Sequence, residues 1–372
     1  MKNIAPDTWQ FQVNLPTPSQ VIVGPECVTQ PEYWPATDTP QAAMVFIDKA
    51  VHQIFPQLGS QIQTALTARG WQPRLRPVEA SEHLKAFEAV YPLYGELLEA
   101  GLRRQSLVVA VGGGTVGDAI GFLAATYLRG LNWVNVPTTL LAQVDSSLGG
   151  KTGVNHSQGK NLVGAVHQPQ TLLCDPQLLG DLPHRDRVSG LGEMLKYGLI
   201  ASEAFWEQLC AQKTAILAGD AALTEAIARS LEIKAGYVEQ DEQDIKGIRA
   251  ALNFGHTFAH GIEAAAGYGQ IRHGEAVLMG MYLAILLSME EKILPHLRGE
   301  NWLKTLQSVS ALDILEFVAG LDQQKMLKAM SRDKKNETAQ TRILCIQDYG
   351  QLLPRDFSES RLQSFLKTAL NP

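Results

Sequence analysis

Three of the chain's nine histidines lie in one short stretch, Arg249-Ala-Ala-Leu-Asn253-Phe-Gly-His256-Thr-Phe-Ala-His260-Gly-Ile-Glu263, followed by Arg272-His273-Gly-Glu275. His256 and His260 are four apart in a run with helical spacing, so both rings leave the same face, one turn above the other. That is metal-ligand spacing. A zinc protease of the His-Glu-x-x-His kind is excluded, because the position after the first histidine, where its general base must stand, is Thr257. A divalent metal held by two nitrogens needs a third protein ligand and an open position for water or substrate. His273, in a glycine-flanked turn, and Glu193, in Gly190-Leu-Gly-Glu193-Met-Leu-Lys196-Tyr-Gly198, are the candidates. Taken singly, each histidine would read as a packed or surface residue. Three of them amid glycines, with Asn253 and Arg249 close by, read as a site.

Two further stretches have the composition of binding loops. The first, Gly112-Gly-Gly114-Thr115-Val116-Gly117-Asp118, fits Gly-x-Gly-x-x-Gly and stands between an apolar strand and a helical segment. Glycines there let the backbone approach a pyrophosphate, and the helix N-terminus supplies oriented N–H groups. The competing reading is a turn that serves only close helix packing. No acidic residue closes a second strand about 20 residues on, so the pattern is not that of a simple dinucleotide-binding dehydrogenase. The second stretch runs from Asp145 to Asn161 and includes Lys151 and Lys160. It has neither helical nor strand periodicity, and its glycines, hydroxyls and two lysines suit phosphate or another anion.

The elements that must position these groups change character along the chain. Val21–Gly24, Met44–Asp48, Leu107–Val111, Trp133–Val136 and Thr171–Asp175 read as short buried strands, with helical spacing over Gln61–Arg69 and Leu84–Leu102. The order strand, glycine loop, helix, strand around residues 107–136 implies a mostly parallel sheet. Pro25 to Gln41, with four prolines and little periodicity, reads as a surface loop. From Leu178 onward the pattern is helical, with Arg342–Ile346 as its one strand-like piece. Two domains are therefore expected, an α/β domain over 1–177 and a mainly helical, metal-binding domain over 178–372.

Composition bounds the partners. At 372 residues, 45% apolar and 19% charged, with a net charge of -6 and a pI near 5.9, the chain has no basic footprint for nucleic acid. Small molecules are the expected partners. Four scattered cysteines form no Cys-x-x-Cys pair, which implies a reducing compartment. The N-terminus lacks an apolar signal core and no run reaches the ~18 apolar residues of a membrane span, so a cytoplasmic location is expected.

Five motifs together carry a resemblance to the 3-dehydroquinate synthase family of sugar phosphate cyclases, over nearly the whole chain. They are Gly112–Asp118, Thr126-Tyr-Leu-Arg129-Gly130, Pro137-Thr138-Thr139 through Asn155, Gly190–Gly198 and Leu252–His260. The resemblance implies an N-terminal NAD-binding domain, a C-terminal helical metal domain, a cleft between them for a sugar phosphate, and a homodimer. It implies that Glu193, His256 and His273 bind zinc, or cobalt in its place, whereas His260 faces the substrate phosphate. Asp48, Glu82, Lys85, Gly114, Thr115, Val116, Gly117, Asp118, Thr138, Thr139, Lys151 and Lys160 match cofactor positions. So does Asp181, although the family usually has threonine there. Asp145, Lys151, Asn161, Lys196, Lys234, Arg249, Asn253, His260 and one of Lys334 or Lys335 match catalytic and substrate positions. Arg129 matches an arginine contributed by the neighbouring subunit. Ser81 replaces the glycine that usually precedes Glu82, and Glu79 offers a rival alignment.

The implied reaction converts 3-deoxy-D-arabino-heptulosonate 7-phosphate to 3-dehydroquinate and phosphate, with NAD reduced and reoxidised within one turnover. Phosphate would be held by Lys151, Asn161, Asn253 and His260, and protons managed near Asp145 and Lys196. Three readings compete: a related cyclase with another sugar phosphate, a metal-dependent polyol dehydrogenase, and a non-catalytic nucleotide-binding protein with a structural metal.

Overall fold

The computed structural model describes residues 1–267, 269–331 and 340–370. The chain divides into two compact units, 1–182 with 219–243, and 183–218 with 244–372.

The first unit is built on an eight-stranded sheet. Its strands are β1 (Lys2–Ala5), β2 (Thr8–Val13), β3 (Ser19–Val23), β4 (Gln41–Asp48), β5 (Trp71–Val78), β6 (Leu107–Gly112), β7 (Asn132–Pro137) and, after a separate hairpin of β8 (Lys151–His156) and β9 (Gly159–Val166), β10 (Thr171–Cys174). The order is β1-β2-β3-β10-β7-β6-β4-β5. From β3 across to β5 all neighbours are parallel, while β1, β2 and β3 pair antiparallel. Strand β6 is buried from end to end, as a central parallel strand covered on both faces must be. Alternation divides its side chains between two cores. Val109 and Val111 join Val45 and Ile47 of β4 on one face, and Val108 and Ala110 join Met44 and Phe46 on the other. Helices α1 (Lys49–Ile54), α2 (Leu58–Ala68), α3 (Phe87–Glu99) and α4 (Gly114–Thr126) complete this part of the unit.

The second unit contains α5 (His184–Ala201) and α6 (Glu203–Ala218). The chain then returns to the first unit for α7 (Ala221–Gln240) before continuing through α8 (His256–Ala266), α9 (His273–Glu290), α10 (His296–Val309), α11 (Ile314–Ala319), α12 (Gln323–Ser331), the hairpin β11 (Thr341–Asp348) and β12 (Gln351–Phe357), and α13 (Glu359–Leu370). Helix α9 is the core of this unit, buried along nearly its whole length and packed against α5, α8, α10 and β11.

The structure departs from the sequence reading in several places. A single break at 177/178 is replaced by the interleaved division above, because α7 packs against β2, β3 and residues 142–146 of the first unit. The stretch 25–41 is a surface loop only in its second part, from 35 to 40. It makes two 3₁₀ turns, and Cys27, Val28 and Trp34 are buried in the sheet's core. Much of the supposed loop 145–161 is the β8–β9 hairpin, whose exposed second strand has no buried face to impose alternation. Strands β1, β2, β5 and β12 are not among the expected elements. Pro73 and Pro77 mask β5, and they are tolerated because it is an edge strand.

Asp175, just after β10, is 2% exposed, and its carboxylate accepts from the backbone N–H of Gln177 at 3.0 Å. Burial pushes its pKa up to about 6, against the lowering effect of this and neighbouring backbone hydrogen bonds. The native state therefore holds this proton to higher pH than the unfolded chain does, and stability falls as pH rises from about 4 to about 6. Asp175→Asn keeps an acceptor and cannot ionise. Its stability relative to the parent, measured by urea unfolding, should rise across that window and level off at roughly 3 kcal/mol. A constant difference between pH 4 and 7 would contradict the assignment.

Candidate active site

In the helical unit, Glu193, His256 and His273 each present a ligand atom within 4.8 Å of the others, the one such group among the described residues. The Nε2 atoms of both histidines lie 3.6 Å from Glu193 Oε1. Both Nδ1 atoms have acceptors elsewhere, the Phe254 carbonyl at 3.2 Å and Glu263 Oε1 at 3.3 Å. Burial, reinforced by Lys196 and the two other histidines, holds the His256 pKa well below its ordinary value, so its ring is neutral and able to bind metal. Glu193 is fully buried on α5 and forms an ion pair with Lys196, yet neither carboxylate oxygen has an aligned hydrogen-bond donor among the described residues. Lys196 offsets part of its charge, and a divalent cation at the focus of the three side chains would satisfy the remaining lone pairs. His260 stands outside this group. Its exposed ring meets His256 edge-on, with centroids 5.8 Å apart.

Glycines bring the three ligands together. A Cβ on Gly274 would run into the Ser189 carbonyl of α5, and one on Gly192 would lie 2.5 Å from the Gly274 carbonyl. The α5 and α9 backbones therefore touch where Glu193 and His273 project. Gly255 caps α8 with φ 80°, and a Cβ on Gly280 of α9 would meet the Gly255 carbonyl. Lys196 and Arg249 are buried in this unit, Asn253 is half-buried, and Lys334 and Lys335 lie outside the described residues.

In the sheet unit the glycine loop stands at the carboxyl end of β6, with α4 starting at Gly114. A Cβ at Gly114 would lie 2.9 Å from Ser146 Oγ. A cavity beside the loop is lined by Gly113, Gly117, Asp118, Ser147, Lys151 and Thr152, among others. Thr138 donates its backbone N–H to Gly112 at 3.0 Å, and Thr139 packs against Gly113. Asp48 ends β4 and caps α1, accepting from the Ala50 N–H at 3.0 Å; burial raises its pKa. Thr115 and Val116 fall in the first turn of α4.

Beside the loop lies a polar network. Lys85, 5% exposed, pairs with Asp118 at 2.6 Å and with the Asn161 side chain. Burial raises the Asp118 pKa, and Lys85 opposes the shift. Glu82 accepts from Asn155 Nδ2 at 2.7 Å and faces Lys160 at 3.4 Å. Asn161, matched by resemblance to a substrate position, thus joins the residues matched to the cofactor. Asn155 belongs to the network too, with its Oδ1 accepting the Asn161 N–H at 3.0 Å. It ends the Pro137–Asn155 motif, where neither its type nor its spacing sets it apart. Lys234 of α7 donates to both the backbone and the side chain of Asp145, at 2.7 Å each. Arg129 is exposed, and it and Leu128 hold left-handed φ values of 67° and 50°. Asp181 is exposed in the turn before α5.

This is the fold of the dehydroquinate synthase-like cyclases. A structure of 2-deoxy-scyllo-inosose synthase complexed with carbaglucose-6-phosphate, NAD+ and Co2+ superposes with a TM-score of 0.86 at 22% identity, covering 97% of this chain and 100% of that one. A 2-epi-5-epi-valiolone synthase from Streptomyces hygroscopicus with NAD+ and Zn2+ bound gives 0.80 at 24% identity, over 97% and 99%. The 3-dehydroquinate synthase N-terminal and C-terminal sequence families match residues 76–189 and 190–336. The 3-dehydroquinate synthase of Chlorobium luteolum is 41% identical over 332 residues, 88% of this chain and 91% of that one. The chain belongs to the 3-dehydroquinate synthase family.

Proposed function

We propose that the protein converts 3-deoxy-D-arabino-heptulosonate 7-phosphate to 3-dehydroquinate and phosphate. The observation that carries this reading is the Glu193, His256 and His273 group, with its buried carboxylate lacking aligned donors, in a chain 41% identical to a 3-dehydroquinate synthase. Zinc, or cobalt, held by these three residues supplies a Lewis acid toward the substrate's hydroxyl and carbonyl oxygens. NAD, cradled by Gly114–Asp118 with Asp48, Glu82, Lys85, Thr138, Thr139 and Lys160, supplies a hydride acceptor and then a donor.

The chain's own residues bind and manage protons. Lys151, Asn161, Asn253 and His260 hold the phosphate as it leaves, with one of Lys334 or Lys335 as a further cation. Arg249 grips the substrate carboxylate. Lys196, paired with Glu193, donates to a substrate oxygen, while Lys234 fixes the Asp145 carboxylate for proton transfer. The test is to supply purified protein with NAD, zinc and the heptulosonate phosphate, and to follow dehydroquinate, phosphate and NADH together. Dehydroquinate and phosphate formed in equal amounts without net NADH support the reading. Net NADH would instead mark a polyol dehydrogenase.

The working form in this reading is a cytoplasmic homodimer in which Arg129 serves the neighbouring subunit. No helix among the described residues is long and apolar enough to cross a membrane, and all four cysteines are free. Support for a dimer comes from α3, which exposes Phe87, Tyr91 and Leu98 at 47%, 65% and 63%. Tyr94 of the same helix bonds Thr126 at 2.6 Å, three residues before Arg129. Contiguous apolar exposure of this kind marks association surfaces. Mixing inactive Arg129→Ala with inactive Lys196→Ala protein should restore part of the activity through hybrid dimers. No recovery despite proven subunit exchange would assign Arg129 to its own chain.

A further inference from the structure

We infer that Glu263 is a positioning residue for His273, fixing which ring nitrogen faces the metal centre; the inference rests on the proposed metal centre and goes beyond its three ligands. Glu263 stands two turns along α8 from His256, and its Oε1 lies 3.3 Å from His273 Nδ1, while Nε2 of the same ring lies 3.6 Å from Glu193. An imidazole that donates Nδ1–H to a carboxylate keeps its lone pair on Nε2 and becomes a stronger base. The two histidines differ in what holds them. The His256 side chain is 11% exposed and its Nδ1 meets a backbone carbonyl, so packing and main chain suffice. The His273 side chain is 34% exposed, and packing leaves its ring freer to turn. Its backbone is secured separately. Glu275 accepts the Arg272 N–H at 3.0 Å and is gripped by both arms of Arg185 at 2.9 and 2.7 Å, and the Gly274 N–H reaches Ser189 Oγ at 2.9 Å. None of these contacts reaches the ring, whose face or edge meets the His256 ring with centroids 5.3 Å apart. The His256 contact does not distinguish the two ring nitrogens, whereas the Glu263 carboxylate meets Nδ1 alone.

Two measurements test this. Zinc affinity, read by competition with a chromophoric chelator, should fall about 10- to 100-fold in Glu263→Ala. The loss should be smaller in Glu263→Gln, whose amide oxygen still accepts Nδ1–H without the charge. Nitrogen NMR of the metal-free protein should show His273 protonated at Nδ1 in the parent and in Glu263→Gln, and a mixture of tautomers in Glu263→Ala. A purely structural role would alter stability and leave the tautomer unchanged. The inference is overturned if Glu263→Ala binds zinc like the parent, or if the parent's His273 carries its proton on Nε2. If the parent binds no zinc, the metal-centre reading fails, while the tautomer measurement still decides the role of Glu263.

Discussion

Alanine at His256 or His273 is expected to strip zinc from the protein and to lower turnover on the order of a thousandfold or more, the several kcal/mol that a Lewis acid contributes to a transition state. His260→Ala should behave differently. Its ring lies outside the Glu193, His256 and His273 group, so zinc should remain while turnover falls about a hundredfold through lost phosphate and proton handling. Metal analysis of the three purified variants separates the roles. Retention of zinc by His273→Ala together with its loss from His260→Ala would sink the ligand assignment.

Arg249→Leu should cost ~3 kcal/mol of transition-state binding, on the order of a hundredfold in kcat/KM, with zinc and NAD affinity near those of the parent. The heptulosonate substrate carries a carboxylate that a guanidinium can hold through two parallel charge-assisted hydrogen bonds. Arg249 is 3% exposed. A buried donor that holds that carboxylate would discriminate strongly against a sugar phosphate without one, such as sedoheptulose 7-phosphate. Steady-state kinetics with both compounds is the check. Normal turnover of the heptulosonate phosphate by the leucine variant, or preference of the parent for the neutral sugar, would refute the assignment.

What could be read from the sequence followed from local rules. Strand β6 was legible because a fully buried parallel strand is a continuous apolar run, and the glycine loop because only glycine allows such approach at the start of α4. His256 and His260 show how far spacing reaches. It places both rings on one face, but it cannot tell that α9 delivers His273 to His256 while His260 turns outward, because that depends on the Gly192, Gly274 and Gly280 contacts with other helices. Trp34, buried within the stretch expected as a surface loop, shows a similar limit: prolines mark a break in regular structure, not exposure. Glu263 has no spacing that marks it in the sequence, since its partner lies ten residues away on a different element.

The interleaving of the two units bears on how the chain is made. The sheet unit is not complete at residue 182, because α7 belongs to it and is synthesised only after α5 and α6 of the other unit have appeared. A nascent chain that has just extended its parallel sheet must therefore wait for 219–243 before Lys234 can reach Asp145 and the surface under α7 can close. Domains usually fold as units, the N-terminal one first, during synthesis. Here that order is delayed, because α5 and α6 of the other unit stand between residue 182 and the return of the chain at 219. A fragment ending at 182 would leave apolar sheet-side surface uncovered, whereas one ending at 243 contains every residue of the first unit. The natural cutting point for this protein therefore lies past its midpoint, well beyond the place where strands give way to helices.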